Sequence, residues 1–317
     1  MLRALAEFGR KGLNQKESSN AARPAFILLF EEPELYLHPR AQRQLMAALA
    51  TFSAEHQVLV TTHSPGFFRR DTLGFTKLKK TKDGVSALPV NLEKNATHDA
   101  LSTRDAYQII QHENNEAAFF SHAVVLVEGD TDTFTFPHLA KLINPDWDDV
   151  NQNITFIKIN GKGNIKRYKG FFKRFEVPVH VIADLDALLE GFGSLTNSRR
   201  SKAARDKMLN LVNQHLDKAG IKKERKTQLH EFRNPSSSEI LAARDELLTS
   251  LAEEFVYVLK RGDIEVYSGT NAEKDKLNAA IKFCEATTSR DDLCELHGHD
   301  ADGVIQELTG IFERIYK

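Results

Sequence analysis

The chain has 317 residues, 41% of them hydrophobic and 27% charged, with a formal net charge of −1, an ordinary globular composition long enough for two cores at roughly 150 residues each. No window approaches the roughly 18 consecutive apolar residues of a membrane span, and residues 1–14 carry Glu7 and lack a continuous apolar stretch, so a membrane protein is excluded, a secretory signal is not read, and a cytoplasmic location is expected. The near-neutral total hides an asymmetry, because residues 158–233 hold 18 Lys and Arg against 8 Asp and Glu, a basic middle between acidic flanks.

In chain order, the apolar run at 26–30 (FILLF) has strand length, and Pro33 and Pro39 follow it. A helix is predicted over 42–52 from the spacing of Leu45, Ala48, Leu49 and Phe52, then a second strand at 57–61 (QVLVT). Asp83-Gly84 between two extended stretches predicts a hairpin over 76–90, and the polar residues 91–103 read as a connector. A second alternating pattern begins at 123–127 (AVVLV), whose unbroken apolar, β-branched character suits a strand buried on both faces of a parallel sheet. Further strands are predicted at 154–159, 177–183 and 255–259, with a helix at 165–175 and a basic helical insertion at about 195–254, interrupted at 234–238 (NPSSS). This order predicts an α/β fold with a parallel sheet flanked by helices, and ligand chemistry at the carboxyl ends of its strands. Cys284 and Cys294 have neither metal-site nor redox-pair spacing and read as free thiols.

Two motifs carry chemistry. In the first, ILLFEEPELYLHP sets Glu31 and Glu32 directly after the first strand, and Thr62-His63-Ser64-Pro65 follows the second. Paired carboxylates suit nucleotide hydrolysis, one holding Mg²⁺ through its water shell and one polarising water, with His63 placed to sense a γ-phosphate. The five elements in order (apolar strand, EEPE, LHP, second strand, THSP) resemble the Walker B strand, D-loop and switch histidine of ABC-type ATPases, particularly the OLD and RecF-like group. No G-x-x-x-x-G-K-[ST] phosphate loop occurs in the sequence; the loosely similar Asn160–Asn164 turn follows a different strand. The resemblance therefore implies the C-terminal half of an ATPase domain over residues 1–92, with residues 1–11 as the helix after the signature. ATP is expected as a cofactor only where the Walker A half is supplied.

In the second motif, Val127-Glu128-Gly129-Asp130-Thr131-Asp132 ends one buried strand and Ala183-Asp184-Leu185-Asp186 ends another. Alternate residues of an extended chain face one side, so Asp184 and Asp186 can reach a common point. Carboxylates converging there repel unless cations lie between them, and hard oxygen ligands suit Mg²⁺ or Mn²⁺. The pairing of E-G-x-x-D with D-x-D resembles the Toprim domain of topoisomerases, primases and OLD-family nucleases, over about residues 120–285. A half-ATPase, a linker at 93–119 and a Toprim domain at 120–317 together resemble the OLD family of ATP-linked DNA nucleases, often found in phage defence. That resemblance implies two catalytic ions held by Glu128, Asp132, Asp184 and Asp186, with Glu265 in Arg261-Gly262-Asp263-Ile264-Glu265 as a further ligand. It also implies a late lysine that stabilises phosphate charge, Lys276 or Lys274. His297 and His299, an HxH pair, read as a surface loop ahead of a metal site.

The substrate expected is DNA. Lys162, Lys166, Arg167, Lys169, Lys173 and Arg174 form one acid-free basic cluster, and Lys222, Lys223, Arg225 and Lys226 a second; phosphate contact through both is the expectation. A homo-oligomer and a partner protein in a defence system are further expectations. Two alternatives stay open: a Toprim primase or topoisomerase-like enzyme, and a non-catalytic DNA-binding regulatory subunit.

Overall fold

The computed structural model describes residues 27–54, 56–64, 74–91, 109, 117–270 and 274–317. The chain divides into two compact units, Met1–Asn95 with Ile110–Glu116, and Ala96–Ile109 with Ala117–Lys317. The expected helix at 1–11 and most of the 93–119 linker lie outside the described residues.

In the first unit, β1 (Ile27–Glu31) pairs in parallel with β2 (Gln57–Thr61), joined through helix α1 (Pro39–Phe52). The helix starts three positions before the predicted 42, because Pro39 fits the first turn, where no backbone N–H is needed. Phe30, Val58 and Val60 pack on Leu45 and Leu49 of α1, while the alternate positions Ile27, Leu29 and Leu59 are exposed. The predicted hairpin is present as β3 (Gly74–Thr81) and β4 (Gly84–Asn91), antiparallel and closed by Thr81 opposite Gly84. Gly84 adopts φ 135°, which its lack of a Cβ permits.

The second unit is a parallel α/β layer. Strands β5 (Ala123–Val127), β6 (Ile154–Lys158), β7 (Val179–Ala183) and β8 (Val256–Val258) form one sheet in the order β6-β5-β7-β8. Every residue of β5 is buried. Val125 and Val127 join a core built on Phe136, Leu139, Phe283, Leu308 and Phe312, from α2 (Asp130–Ile143), α8 (Lys276–Ala286) and α10 (Ala301–Ile315). The opposite face is packed by α3 (Ile165–Arg174), whose Ile165, Tyr168, Phe171 and Phe172 are buried. Burying a leucine or phenylalanine contributes roughly 1.5–3 kcal/mol each, so a sheet covered on both faces is well fixed.

The insertion between β7 and β8 is helical, as its sequence predicts: α4 (Arg199–Lys218), α5 (Arg225–Arg233) and α6 (Ser238–Ala252). The break at 234–238 separates α5 from α6, and Ser237 caps α6 by accepting from Ile240 N. Short α7 (Ile264–Tyr267) and α9 (Arg290–His297) complete the unit with α8 and α10.

Candidate functional site: an acidic cluster at the strand ends

Strand β5 leads to β6 on one side, and the chain then returns across β5 to β7 on the other. The crossovers thus diverge between β5 and β7, the position at which open α/β sheets bind ligands outside their carboxyl ends. Glu128 follows β5 and Asp184 and Asp186 follow β7. A carboxylate oxygen from each of these three lies within 4.8 Å of the other two, the one such group of possible metal ligands among the described residues.

The surroundings make two of these acids, Glu128 and Asp184, hard to ionise. Burial, with the nearby Glu128, Asp132, Asp186 and Asp263 charges, pushes the Asp184 carboxyl up to about 9. Burial also raises Glu128 to about 6, against the opposing pull of the Lys162 ammonium. Glu128 Oε1 is buried without a hydrogen-bond partner. A cation placed among them would favour their ionised forms.

Asp132 is used differently. Its Oδ2 accepts from the backbone N–H groups of Glu128 and Gly129, both at 2.9 Å, so it fastens the turn that presents Glu128 to the first turn of α2. It is buried, which raises its pKa to about 6, but it does not belong to the three-carboxylate group. Glu265, on α7, is also buried and pairs with Lys276 Nζ at 2.6 Å. Asp184 and Asp263 bear electrostatically on that same lysine, whose pKa rises chiefly through its hydrogen bond to Glu265. Lys274 makes no ion pair among the described residues. Asp263 is a site neighbour that reading single acids missed: its Oδ1 is buried without a partner, and its signal was the Gly262-Asp263-Ile264-Glu265 run itself.

The basic residues divide. Lys162 is inside the cluster, with its ammonium on Asp186 and 3.8 Å from Glu128. The turn carrying it is tightly built, with Asn160 at φ 52° and Gly161 at φ 102°, and Asn164 Nδ2 donating to Ile159 O. Arg225 also reaches Asp186, at 2.5 Å, and Glu190 at 3.3 Å, which joins the helical insertion to the acids. Lys169 is half-buried, and burial lowers its pKa. Lys166, Lys173, Lys222, Lys223 and Lys226 are exposed, and Arg167 and Arg174 half-buried; Lys223 pairs with Asp217 at 2.6 Å.

In the first unit, Glu31 ends β1 and Glu32 sits in the left-handed region at φ 40°. His63 Nε2 lies 3.1 Å from Glu32. The buried acid is Glu34, which accepts from the Thr62 hydroxyl and from the backbone N–H groups of His63 and Ser64, each at 3.2 Å. Glu34 therefore ties the EEPE turn to the segment carrying His63, a role that the sequence reading did not assign.

His297 Nε2 contacts Tyr267 O at 2.8 Å and His299 is exposed, so neither joins a metal-ligand group among the described residues. Cys284 and Cys294 are free. Among the described residues no helix is long and apolar enough to cross a membrane.

The sequence matches two family profiles: the "Overcoming lysogenization defect protein-like, TOPRIM domain" over residues 119–186 and an "AAA ATPase domain" over residues 2–68. The Old nuclease of Escherichia phage P2 is 24% identical over 291 residues, which is 87% of this chain and 49% of that protein. The OLD nuclease of Thermus scotoductus is 30% identical over 166 residues, 50% of this chain and 30% of that one. The chain thus spans about half or less of the length of these relatives. A solved C-terminal region of the Xanthomonas campestris pv. campestris OLD protein aligns with 18% identity and a TM-score of 0.31, covering 62% of this chain and 96% of that one. The two profiles fall in the order that the EEPE–THSP and EGxTD–DLD motifs set, and the phage P2 nuclease aligns over 291 residues; together these likenesses support an OLD-family protein with an ATPase part followed by a Toprim part.

Proposed function

We propose that the second unit is a divalent-metal-dependent DNA endonuclease, cleaving phosphodiester bonds with two Mg²⁺ or Mn²⁺ ions. The observation carrying this reading is the convergence of Glu128, Asp184 and Asp186 at the point where the sheet's crossovers diverge. The residues fit a hard cation: all three donors are carboxylate oxygens, Glu128 Oε1 is buried and makes no hydrogen bond, and burial with the neighbouring charges drives Asp184 toward its neutral form. Glu128, Asp184 and Asp186 would hold the metal, with Asp132, Asp263 and Glu265 next to them. Bound there, divalent ions supply charge neutralisation, activation of water and stabilisation of the leaving oxygen.

The chain's own residues do the rest. Strands β5 and β7, buried on both faces, keep the acids in register. Asp132 fixes the Glu128 turn by its two backbone hydrogen bonds. Lys276, held by Glu265 at the edge of the cluster with an open side chain, is placed to meet phosphate charge. Lys162 and Arg225 bring positive charge to the same acids and are available to a phosphate that replaces Asp186 as their partner.

Supercoiled plasmid titrated with Mg²⁺ or Mn²⁺ tests the reading. Nicking and linearisation by the chain, lost in Asp184→Asn, supports it. Relaxation with religation points to a topoisomerase, and DNA binding without cutting to a regulatory subunit. The chain by itself is expected to release no phosphate from ATP, because Glu31, Glu32 and His63 have no phosphate loop in this sequence to act with; turnover abolished by Glu32→Gln would contradict that.

A further inference from the structure

A cleft of about 920 Å³ lies on the β8 side of the second unit, between the helical insertion and α10. Its volume is within the roughly 300–1,000 Å³ range of small-ligand sites. Five cations line it, Arg233, Arg244, Lys260, Arg261 and Arg314, against the acids Asp245, Asp300 and Glu307. The acids are already engaged. Asp300 and Glu307 hold Arg261, and Glu307 also accepts from Lys260 N and the Tyr267 hydroxyl, both at 2.7 Å. Asp245 faces Arg244, which is buried and donates to Phe232 O at 3.0 Å. Arg233, Lys260 and Arg314 make no ion pair among the described residues. They come from three elements: the end of α5, the loop after β8, and α10.

The cleft also adjoins the acids. Lys260 and Arg261 run directly into Gly262, Asp263 and Glu265, and Gly262 O accepts from Leu185 N at 2.8 Å, between Asp184 and Asp186. Gly262, at φ 138°, leaves room for Arg233: a Cβ there would lie 2.5 Å from the Arg233 guanidinium. One short loop thus has the carboxylate cluster on one side and a cationic cleft on the other.

We infer that this cleft binds the phosphodiester backbone of the nucleic-acid strand beyond the bond held at Glu128, Asp184 and Asp186, through Arg233, Lys260 and Arg314. The inference rests on the nuclease reading for its ligand, but its test does not need cleavage. Both basic clusters of the sequence lie elsewhere, so a third contact region is assigned.

The test is the affinity of the full chain for a single-stranded deoxyoligonucleotide in EDTA, measured across salt concentrations. The triple variant Arg233→Gln, Lys260→Gln, Arg314→Gln is expected to bind at least about tenfold more weakly, with a salt slope smaller by roughly two, since about 0.7 is lost per contact on a single strand. Unchanged melting confirms that the variant is folded; if it does not fold, Arg314→Gln and Arg233→Gln, at exposed positions, are measured singly for a slope reduced by about 0.7 each. Affinity and slope equal to those of the unmodified chain would overturn the assignment even if Asp184→Asn abolishes cutting. A loss of binding in a chain that cuts nothing would leave the cleft standing and the nuclease reading refuted. Competition by dTMP distinguishes the source of phosphate: displacement of the oligonucleotide at equal concentration would make the cleft a free-nucleotide site and overturn the strand assignment.

Discussion

Both units place acids after a parallel strand, yet they treat them in opposite ways. In the second unit β5 is buried along its whole length, and the carboxyls of Glu128 and Asp184 rise to about 6 and about 9 because burial and nearby negative charge disfavour their ionised forms. In the first unit β1 and β2 alternate between half-buried and exposed residues, with Leu29 73% exposed and Leu59 56% exposed. Its buried acid, Glu34, is spent on hydrogen bonds to the His63 segment. In this chain the strand–acid motif gains unusual electrostatics where both faces of the sheet are covered and the carboxyls are largely buried. The paired E-G-x-x-D and D-x-D motifs have that setting in this chain.

Core packing is expected to separate the two units most. Phe172→Ala, at a fully buried position of α3, is expected to destabilise the second unit by about 3–5 kcal/mol. Leu59→Ala is expected to change the first unit by no more than about 0.5 kcal/mol. Denaturant melts with hydrogen exchange resolved by segment measure both, and comparable losses would show that the exposed sheet face is packed in solution.

A smaller effect is expected at Glu34. Glu34→Ala removes the acceptor of two backbone N–H groups and a hydroxyl, which is expected to cost about 1.5–3 kcal/mol locally. Faster amide exchange at His63 and Ser64, with the second unit unaffected, is the signature.

The acids also set a pH dependence. A carboxyl whose folded pKa lies above its unfolded value near 3.8 keeps its proton better when folded. The unfolded chain sheds that proton first, so Asp184 makes the metal-free protein most stable below about 4 and progressively less stable as pH rises toward about 9. His180 acts oppositely: burial lowers its pKa from 6.5 to about 4, so its contribution is lost as pH falls through that interval. Between pH 7 and 9 Asp184 dominates. Asp184→Asn is expected to flatten the metal-free melting profile there, by about 1.4 kcal/mol for each pKa unit titrated; an unaltered profile would show that this carboxyl is ionised in the fold.

Much of this was legible in the sequence, for reasons particular to each element. Residues 123–127 and 57–61 are strands with the expected bounds, because apolar β-branched runs have few other solutions in a parallel sheet. Strand β7 starts at Val179, after Pro178, which has no N–H to give the ladder. Strand β8 shrinks to Val256–Val258, since Phe255 takes a left-handed φ of 59°. Side-chain direction was not legible. Lys162 and Arg225, expected among the DNA-contacting bases, lie on Asp186, a contact set by the turn at 160–161 and the entry to α5 that a count of basic residues does not show. Likewise the E-G-x-x-D spacing does not reveal that Asp132 is occupied by two backbone N–H groups.

On the proposed function, the acids of the second unit, and not those of the first, bind the divalent cation. Mn²⁺ titration of the full chain, followed by the loss of free Mn²⁺ signal in electron paramagnetic resonance, tests it without reference to cleavage. Saturable binding that is lost in Asp184→Asn and Glu128→Gln, and kept in Glu31→Gln with Glu32→Gln, is the expected result. Binding that survives both strand-end substitutions in the second unit, or disappears with the pair in the first, would contradict it.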